Sequence, residues 1–263
     1  MGKLITFWSP FPGLAKVTSS MCAVAGMMGI LYPELDVAVS HTKSGSIELE
    51  ERLDFRIGVE KKKELYEKSG ISALALNGMQ AVLTSEKIRR CAIPLLLKSL
   101  YLFPGSGCMG FENKMIVHLL TEQLRQEFSA VFLDLKSGWQ EESLLYMKTA
   151  DLVVVGMPQL PSYWTAFSEE AEKLSECGNI IFLLGGYMNA SKYSLRYFQK
   201  EEGKGRIAGA VPINAGFLDA MADGRILDFL LRNQLSKKNE DNYEFIFQTK
   251  KTAEYIRKAI LLP

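Results

Sequence analysis

The chain has 263 residues, 48% hydrophobic and 23% charged, enough apolar mass for one large α/β domain or two small ones. Its 31 basic and 30 acidic groups leave a net charge of +1, which does not indicate a broad basic field for nucleic acid. No apolar run approaches the ~20 residues that span a bilayer, and four scattered cysteines with two histidines offer no zinc-ligand spacing.

Seven short apolar runs are the expected strands: LITFW (4–8), LDVAVSH (35–41), SLYLF (99–103), SAVFLDL (129–135), DLVVVGM (151–157), NIIFLLG (179–185) and RIAGAVP (206–212). They are continuous rather than alternating, the pattern of parallel strands covered by helices on both faces. Between them lie helical stretches, beginning with SSMCAVAGMMGILY, for which Thr18, Ser19 or Ser20 is available as N-cap. KKKELYEKSG and SEKIRRCAIPLLLK follow the second strand, and ENKMIVHLLTEQLRQEF precedes the fourth. Then come QEESLLYMKTA, PSYWTAFSEEAEKLSEC, SKYSLRYFQKEEG, AGFLDAMADGRILDFLLRN and DNYEFIFQTKKTAEYIRKAI, with QLSKKNEDN (234–242) as a loop before the last. The alternation predicts an α/β fold, a mostly parallel doubly wound sheet flanked by helices, in one domain over 1–263. LITFW runs straight into Pro10 and Pro12, unlike a signal peptide, so a cytoplasmic protein with reduced thiols is expected.

The loop SPFPGLAKVTSS joins the first strand to the first helix. Backbone N–H groups of such a turn, with the first turn of the helix, can surround phosphate oxygens. Lys16 could reach the outer phosphates, and Thr18 and Ser19 could add hydroxyl donors. An ordinary turn with a solvated lysine is the other reading of the loop alone.

In its place in the chain, this segment resembles the deviant Walker A motif of the ParA/MinD ATPases. Aligned without a gap, Gly13, Lys16 and Thr18 match that motif. Phe11 stands for the signature lysine, Pro12 and Ala15 for glycines, and Val17 for the hydroxyl that ligates Mg²⁺. SAVFLDLKSG resembles the Walker B region. EESLLYMKTADLVVVGMPQLPSYWTAF, GGYMNASKYSLRYFQ and AVPINAGFLDAMADGRILDFLLRN are similar to later units of the same superfamily. The tryptophan–serine–proline start resembles the TadZ/CpaE branch, which helps place Flp/Tad pilus machinery.

The resemblance implies a P-loop NTPase three-layer sandwich that binds ATP or ADP with Mg²⁺. Pro12, Gly13, Leu14, Ala15, Lys16, Val17, Thr18 and Ser19 would surround the phosphates. Asp134 would serve Mg²⁺, directly or through water, unless it only caps its own turn; Lys16 and Asp134 are the candidates for any catalysis. Pro212 and Asn214 would lie beside the base, or form a sheet-edge loop with no ligand. Where the family carries an acid after the second strand, this chain has Ser40, His41 and Thr42, with Asp36 too early and Glu48 late. His41 is either a base at the site mouth or a polar loop residue. Nucleotide binding is therefore expected to survive better than hydrolysis.

The implied protein is a nucleotide-influenced homodimer that positions partners, such as pilus or secretion machinery, and is recruited by them to a membrane or cell pole. A scaffold that has lost its nucleotide and a DNA-partition ATPase are the alternatives. The basic clusters KKKE (61–64) and KGR (204–206) read as solvated faces or as DNA contacts. TAEYIRKAILLP is short and weakly basic, so packing on the domain is expected over more than peripheral membrane contact.

Overall fold

Along the central strands, alternate residues are buried on opposite faces. Ile5, Phe7, Phe132, Val154 and Leu183 belong to one apolar layer, and Leu4, Trp8, Leu133, Val153 and Leu184 to the other. That double burial is why the strands read as unbroken apolar runs. The computed structural model describes residues 1–43, 46–57, 68–80, 83–96, 98–105, 119–201 and 208–261.

Within these residues the strands are β1 (Lys3–Trp8), β2 (Val37–His41), β3 (Ile93–Leu96), β4 (Leu100–Leu102), β5 (Ala130–Asp134), β6 (Leu152–Met157), β7 (Asn179–Tyr187) and β8 (Ala208–Pro212). They form one sheet in the order β3-β4-β2-β5-β1-β6-β7-β8. Every pairing is parallel except β3 with β4. The helices are α1 (Val17–Leu31), α2 (Glu48–Leu53), α3 (Gly70–Gln80), α4 (Ser85–Arg90), α5 (Arg125–Glu127, after a π-helical turn over Leu119–Leu124) and α6 (Glu141–Thr149). They continue with α7 (Pro161–Glu170), α8 (Leu195–Glu201), α9 (Ala215–Ala222), α10 (Ile226–Asn233) and α11 (Tyr243–Leu261). Helices α1, α2 and α9–α11 bury side chains in the first layer, and α3, α4 and α6–α8 in the second. The result is the expected three-layer, mostly parallel α/β sandwich.

All seven expected strands are present, and the departures have local causes. SEKIRRCAIPLLLK is a helix only to Arg90 and then becomes β3, because Pro94 can neither donate to a helix nor fit its interior. On an edge strand the missing donor is tolerated. AGFLDAMADGRILDFLLRN is two helices broken at Gly224, whose φ of 67° suits glycine. The N-cap of α1 is Lys16, so Thr18, Ser19 and Ser20 lie inside the first turn instead of capping it. Helices α2 and α3 were not expected. Residues 61–67 and 112–118 of two expected helices, and both basic clusters, lie outside the described residues. The last helix packs on the domain as expected, burying Phe245, Ile246, Ala253 and Ile256. Among the described residues no helix is long and apolar enough to cross a membrane.

Candidate functional site

Strand β1 lies between β5 and β6, and the chain leaves it first toward β2 and later crosses to β6. Connections diverging at the carboxyl ends of such strands open a crevice, the usual ligand position in this architecture. The loop after β1 is pinned there. Phe11 N donates to Ser9 Oγ at 3.1 Å, Trp8 Nε1 to Gly138 O at 2.9 Å, and Gly138 N to Ser9 O at 2.8 Å. Gly185 at the end of β7 lies so close that an added Cβ would fall 1.9 Å from Ala15 O.

Lys16 ends the loop with φ 49° and ψ 39°. It is the one non-glycine residue with positive φ among the described residues. For an L-residue this left-handed conformation costs about 1–2 kcal/mol, and such strain collects at functional sites.

Two adjoining cavities open beside Lys16. One, of about 230 Å³, is lined by the predicted Gly13, Ala15, Lys16, Val17, Thr18 and Ser19, together with Lys43, Glu48 and Arg52. The other, of about 280 Å³, is more apolar and is bounded by Pro212, Asn214, Phe217 and Met221. Lys16, Ser19 and Arg52 line both. Pro12 and Leu14 are exposed and line neither. The Asn214 side chain is already committed, its Oδ1 accepting from Phe217 N at 2.8 Å to cap α9 and its Nδ2 donating to Asn242 Oδ1 at 2.9 Å. These two bonds fix the orientation of the side chain. The Phe11 ring packs edge-on against Tyr163, centroids 4.9 Å apart, and carries no charge into the pocket.

Val17, read as the position of a lost hydroxyl, is turned toward β6; a Cβ on Gly156 would lie 2.6 Å from its Cγ2. The hydroxyl that meets the aspartate is that of Thr18, donating to Asp134 Oδ2 at 2.6 Å. Between these oxygens sits Lys43, its Nζ 2.5 Å from Thr18 Oγ1 and 2.7 Å from Asp134 Oδ2. A direct Mg²⁺ bond to Asp134 Oδ2 does not fit this arrangement; contact through water, the other expectation for this residue, is not decided by it. Mg²⁺ requires oxygens at about 2.0–2.1 Å in octahedral array, and the Lys43 ammonium is already bonded to both of these oxygens. Among the described residues no group of three or more His, Cys, Asp or Glu side chains could hold a metal ion.

His41 is not at the site mouth. It is 2% exposed, with Nε2 2.9 Å from Oε1 of the fully buried Glu50. Its Nδ1 accepts from Lys43 N at 3.0 Å, so the residue orients the loop that carries Lys43. Arg52, on α2, donates to Ser19 Oγ at 3.4 Å and pairs with Glu48, placing a guanidinium beside the cavity that Lys16 lines. Lys43, Glu50 and Arg52 were not singled out from sequence. A lysine two residues beyond the position in β2 that pairs with Asp134 was the available signal for the first of them.

Behind the loop, burial pushes the Cys22 thiol up to about 12, against a smaller opposing pull from Arg52. Because the thiolate is the reactive form, Cys22 should stay unlabelled by iodoacetamide at pH 8 in the native protein and become labelled in urea. Peptide mapping checks this; native labelling of Cys22 would contradict the buried placement of α1.

No family model and no curated protein sequence matches the chain. Solved structures do. The ParA family ATPase from Chlorobium tepidum superposes with a TM-score of 0.72 at 11% identity, covering 97% of this chain and 98% of that one. The MinD cell division protein of Aquifex aeolicus gives 0.70 at 13% identity, covering 98% of each chain. The septum site-determining protein MinD of Pyrococcus horikoshii, complexed with Mg-ADP, gives 0.59 at 12% identity, covering all of both chains. At these identities the likeness is one of fold, and it extends over the whole chain.

Proposed function

We propose, from the ParA/MinD-type fold this chain has, that it is a nucleotide-binding switch that hydrolyses ATP slowly and positions partner proteins. The observation that carries the reading is the pair of adjoining cavities sharing Lys16, Ser19 and Arg52. The polar one is lined by the loop and the start of α1, and a helix N-terminus of this kind suits phosphates. The apolar one, walled by Pro212 and Phe217, suits a base and ribose. ATP or ADP is the proposed ligand. The Pyrococcus horikoshii protein is complexed with Mg-ADP, and only the nucleotide half of that is carried over, because Lys43 holds the two oxygens.

Slow turnover is supported by what surrounds the phosphate cavity. Phe11 offers no charge to a partner protomer, His41 is tied to Glu50, and Glu48 is paired with Arg52. Among the described residues, water positioning and metal-assisted charge neutralisation, both normal parts of phosphoryl transfer, lack evident agents. A nucleotide-influenced homodimer and a protein partner, of the pilus or secretion kind suggested by the TadZ/CpaE resemblance, complete the reading. Sedimentation with and without ATP tests the dimer.

Lys16→Gly separates function from folding. Glycine adopts the left-handed backbone without strain, so the variant is expected to be as stable as the parent or more so by about 1 kcal/mol. It should nevertheless lose saturable binding of a fluorescent ATP analogue. Unchanged binding in Lys16→Gly, or no saturable binding by the parent protein, would overturn the reading and favour a nucleotide-free scaffold.

A further inference from the structure

We infer that the Lys43 ammonium is this protein's resident cation at the phosphate cavity, replacing Mg²⁺, so that nucleotide binds without a divalent ion. The last clause rests on the nucleotide reading above; the first stands on geometry alone. In P-loop proteins Mg²⁺ is held by the hydroxyl at the start of the helix and by the strand-end aspartate. Here Val17 holds the aligned hydroxyl position, and the hydroxyl that meets the aspartate is the next one, Thr18 Oγ1, 2.6 Å from Asp134 Oδ2, with Lys43 Nζ bonded to both.

Lys43 is placed there by a buried chain of contacts. Its backbone N donates to His41 Nδ1 at 3.0 Å, His41 Nε2 meets Glu50 Oε1 at 2.9 Å, and Glu50 Oε1 also accepts from Gly105 N at 3.0 Å. Both the His41 and Glu50 side chains are withdrawn from solvent. The preceding residue is anchored as well, with Thr42 N donating to Asp134 O at 3.0 Å and Thr42 Oγ1 accepting from Lys136 N at 3.2 Å.

The charges agree with replacement. One ammonium neutralises the Asp134 carboxylate, which is 1% exposed, while Lys43 itself is 22% exposed and lines the cavity. An ammonium has three donors. Two are used on Thr18 and Asp134, and the third is available to a phosphate oxygen. Lys16 supplies further positive charge around the same space, where Arg52 is paired with Glu48.

Calorimetric titration with ADP, in EDTA and again in MgCl₂, is the first test. The wild-type dissociation constant is expected to agree within about twofold between the two media, whereas Lys43→Met should bind about tenfold or more weakly in EDTA and recover with Mg²⁺. A comparable loss in EDTA for the wild type overturns the inference. If ADP binds the wild type in neither medium, the nucleotide reading has failed and the cation claim is decided without nucleotide, by Mn²⁺ titration followed by electron paramagnetic resonance. Wild type should show no Mn²⁺ site that Asp134→Asn abolishes, and Lys43→Met should gain one. A site in the wild type that depends on Asp134, or none in folded Lys43→Met, contradicts the proposal. Should Lys43→Met not fold, wild type against Asp134→Asn decides.

Discussion

Gly185→Ala is expected to destabilise the protein by about 3 kcal/mol or more, the upper end for overpacked cores, and to remove nucleotide binding with it. The new Cβ would fall 1.9 Å from Ala15 O and 2.9 Å from Ala15 C. Both are backbone atoms, so no rotamer change relieves the clash. Either β7 moves away, opening its parallel register with β6 and β8, or the loop moves and carries the adjacent Lys16 out of place. Gly13→Ala is the matching control. Gly13 also lies in the loop, with φ 75°, but an added Cβ meets nothing within 4 Å, so only the cost of left-handed backbone, about 1–2 kcal/mol, applies. Urea unfolding and analogue binding on both variants check the ordering. Equal stabilities, or a Gly185→Ala protein that binds like the parent, would show that the loop does not depend on β7 for its position.

The difference between those two glycines was not legible in the sequence, whereas much of the fold was. LITFW or DLVVVGM reads as a strand because both faces of the sheet are buried, which makes every residue apolar, and the intervening amphipathic runs mark the helices. What escaped was local competition. IPLL at 93–96 has too few residues to show a period, and the helical SEKIRR before it extends the pattern until Pro94 is given its physical weight. In the site, the loop and Asp134 were legible as a strand–loop–helix and a strand end. Which hydroxyl meets Asp134 was not, because the left-handed turn at Lys16 sets where α1 begins and leaves Val17 facing Gly156. Lys43 reaches Asp134 across 91 residues of sequence. Such a contact has no local signature, and a search for an acid after β2 passed over the cation that stands near it.

The same long-range logic makes Glu50→Ala the most informative substitution outside the cavity. Lys43 N donates to His41 Nδ1, so the ring proton is on Nε2 and is given to Glu50. Glu50 is 0% exposed and accepts from this proton and from Gly105 N. Alanine leaves both donors buried without their acceptor. At about 1–3 kcal/mol for each unsatisfied group, with a cavity added, the expected loss is roughly 2–5 kcal/mol. Glu50→Gln keeps an amide oxygen where Oε1 sits, so it should lose distinctly less. If the pair served packing alone, the two variants would differ only by volume, and ADP binding by whatever stayed folded would be as indifferent to EDTA as the wild type. If the pair positions Lys43, folded Glu50→Ala should bind ADP more weakly in EDTA than in Mg²⁺, while Glu50→Gln follows the wild type. Urea midpoints supply the first comparison and calorimetry the second. A Glu50→Ala protein within about 0.5 kcal/mol of the parent, the range of ordinary surface changes, would remove the buried chain from Glu50 through His41 to Lys43 as the reason the ammonium stands on Asp134.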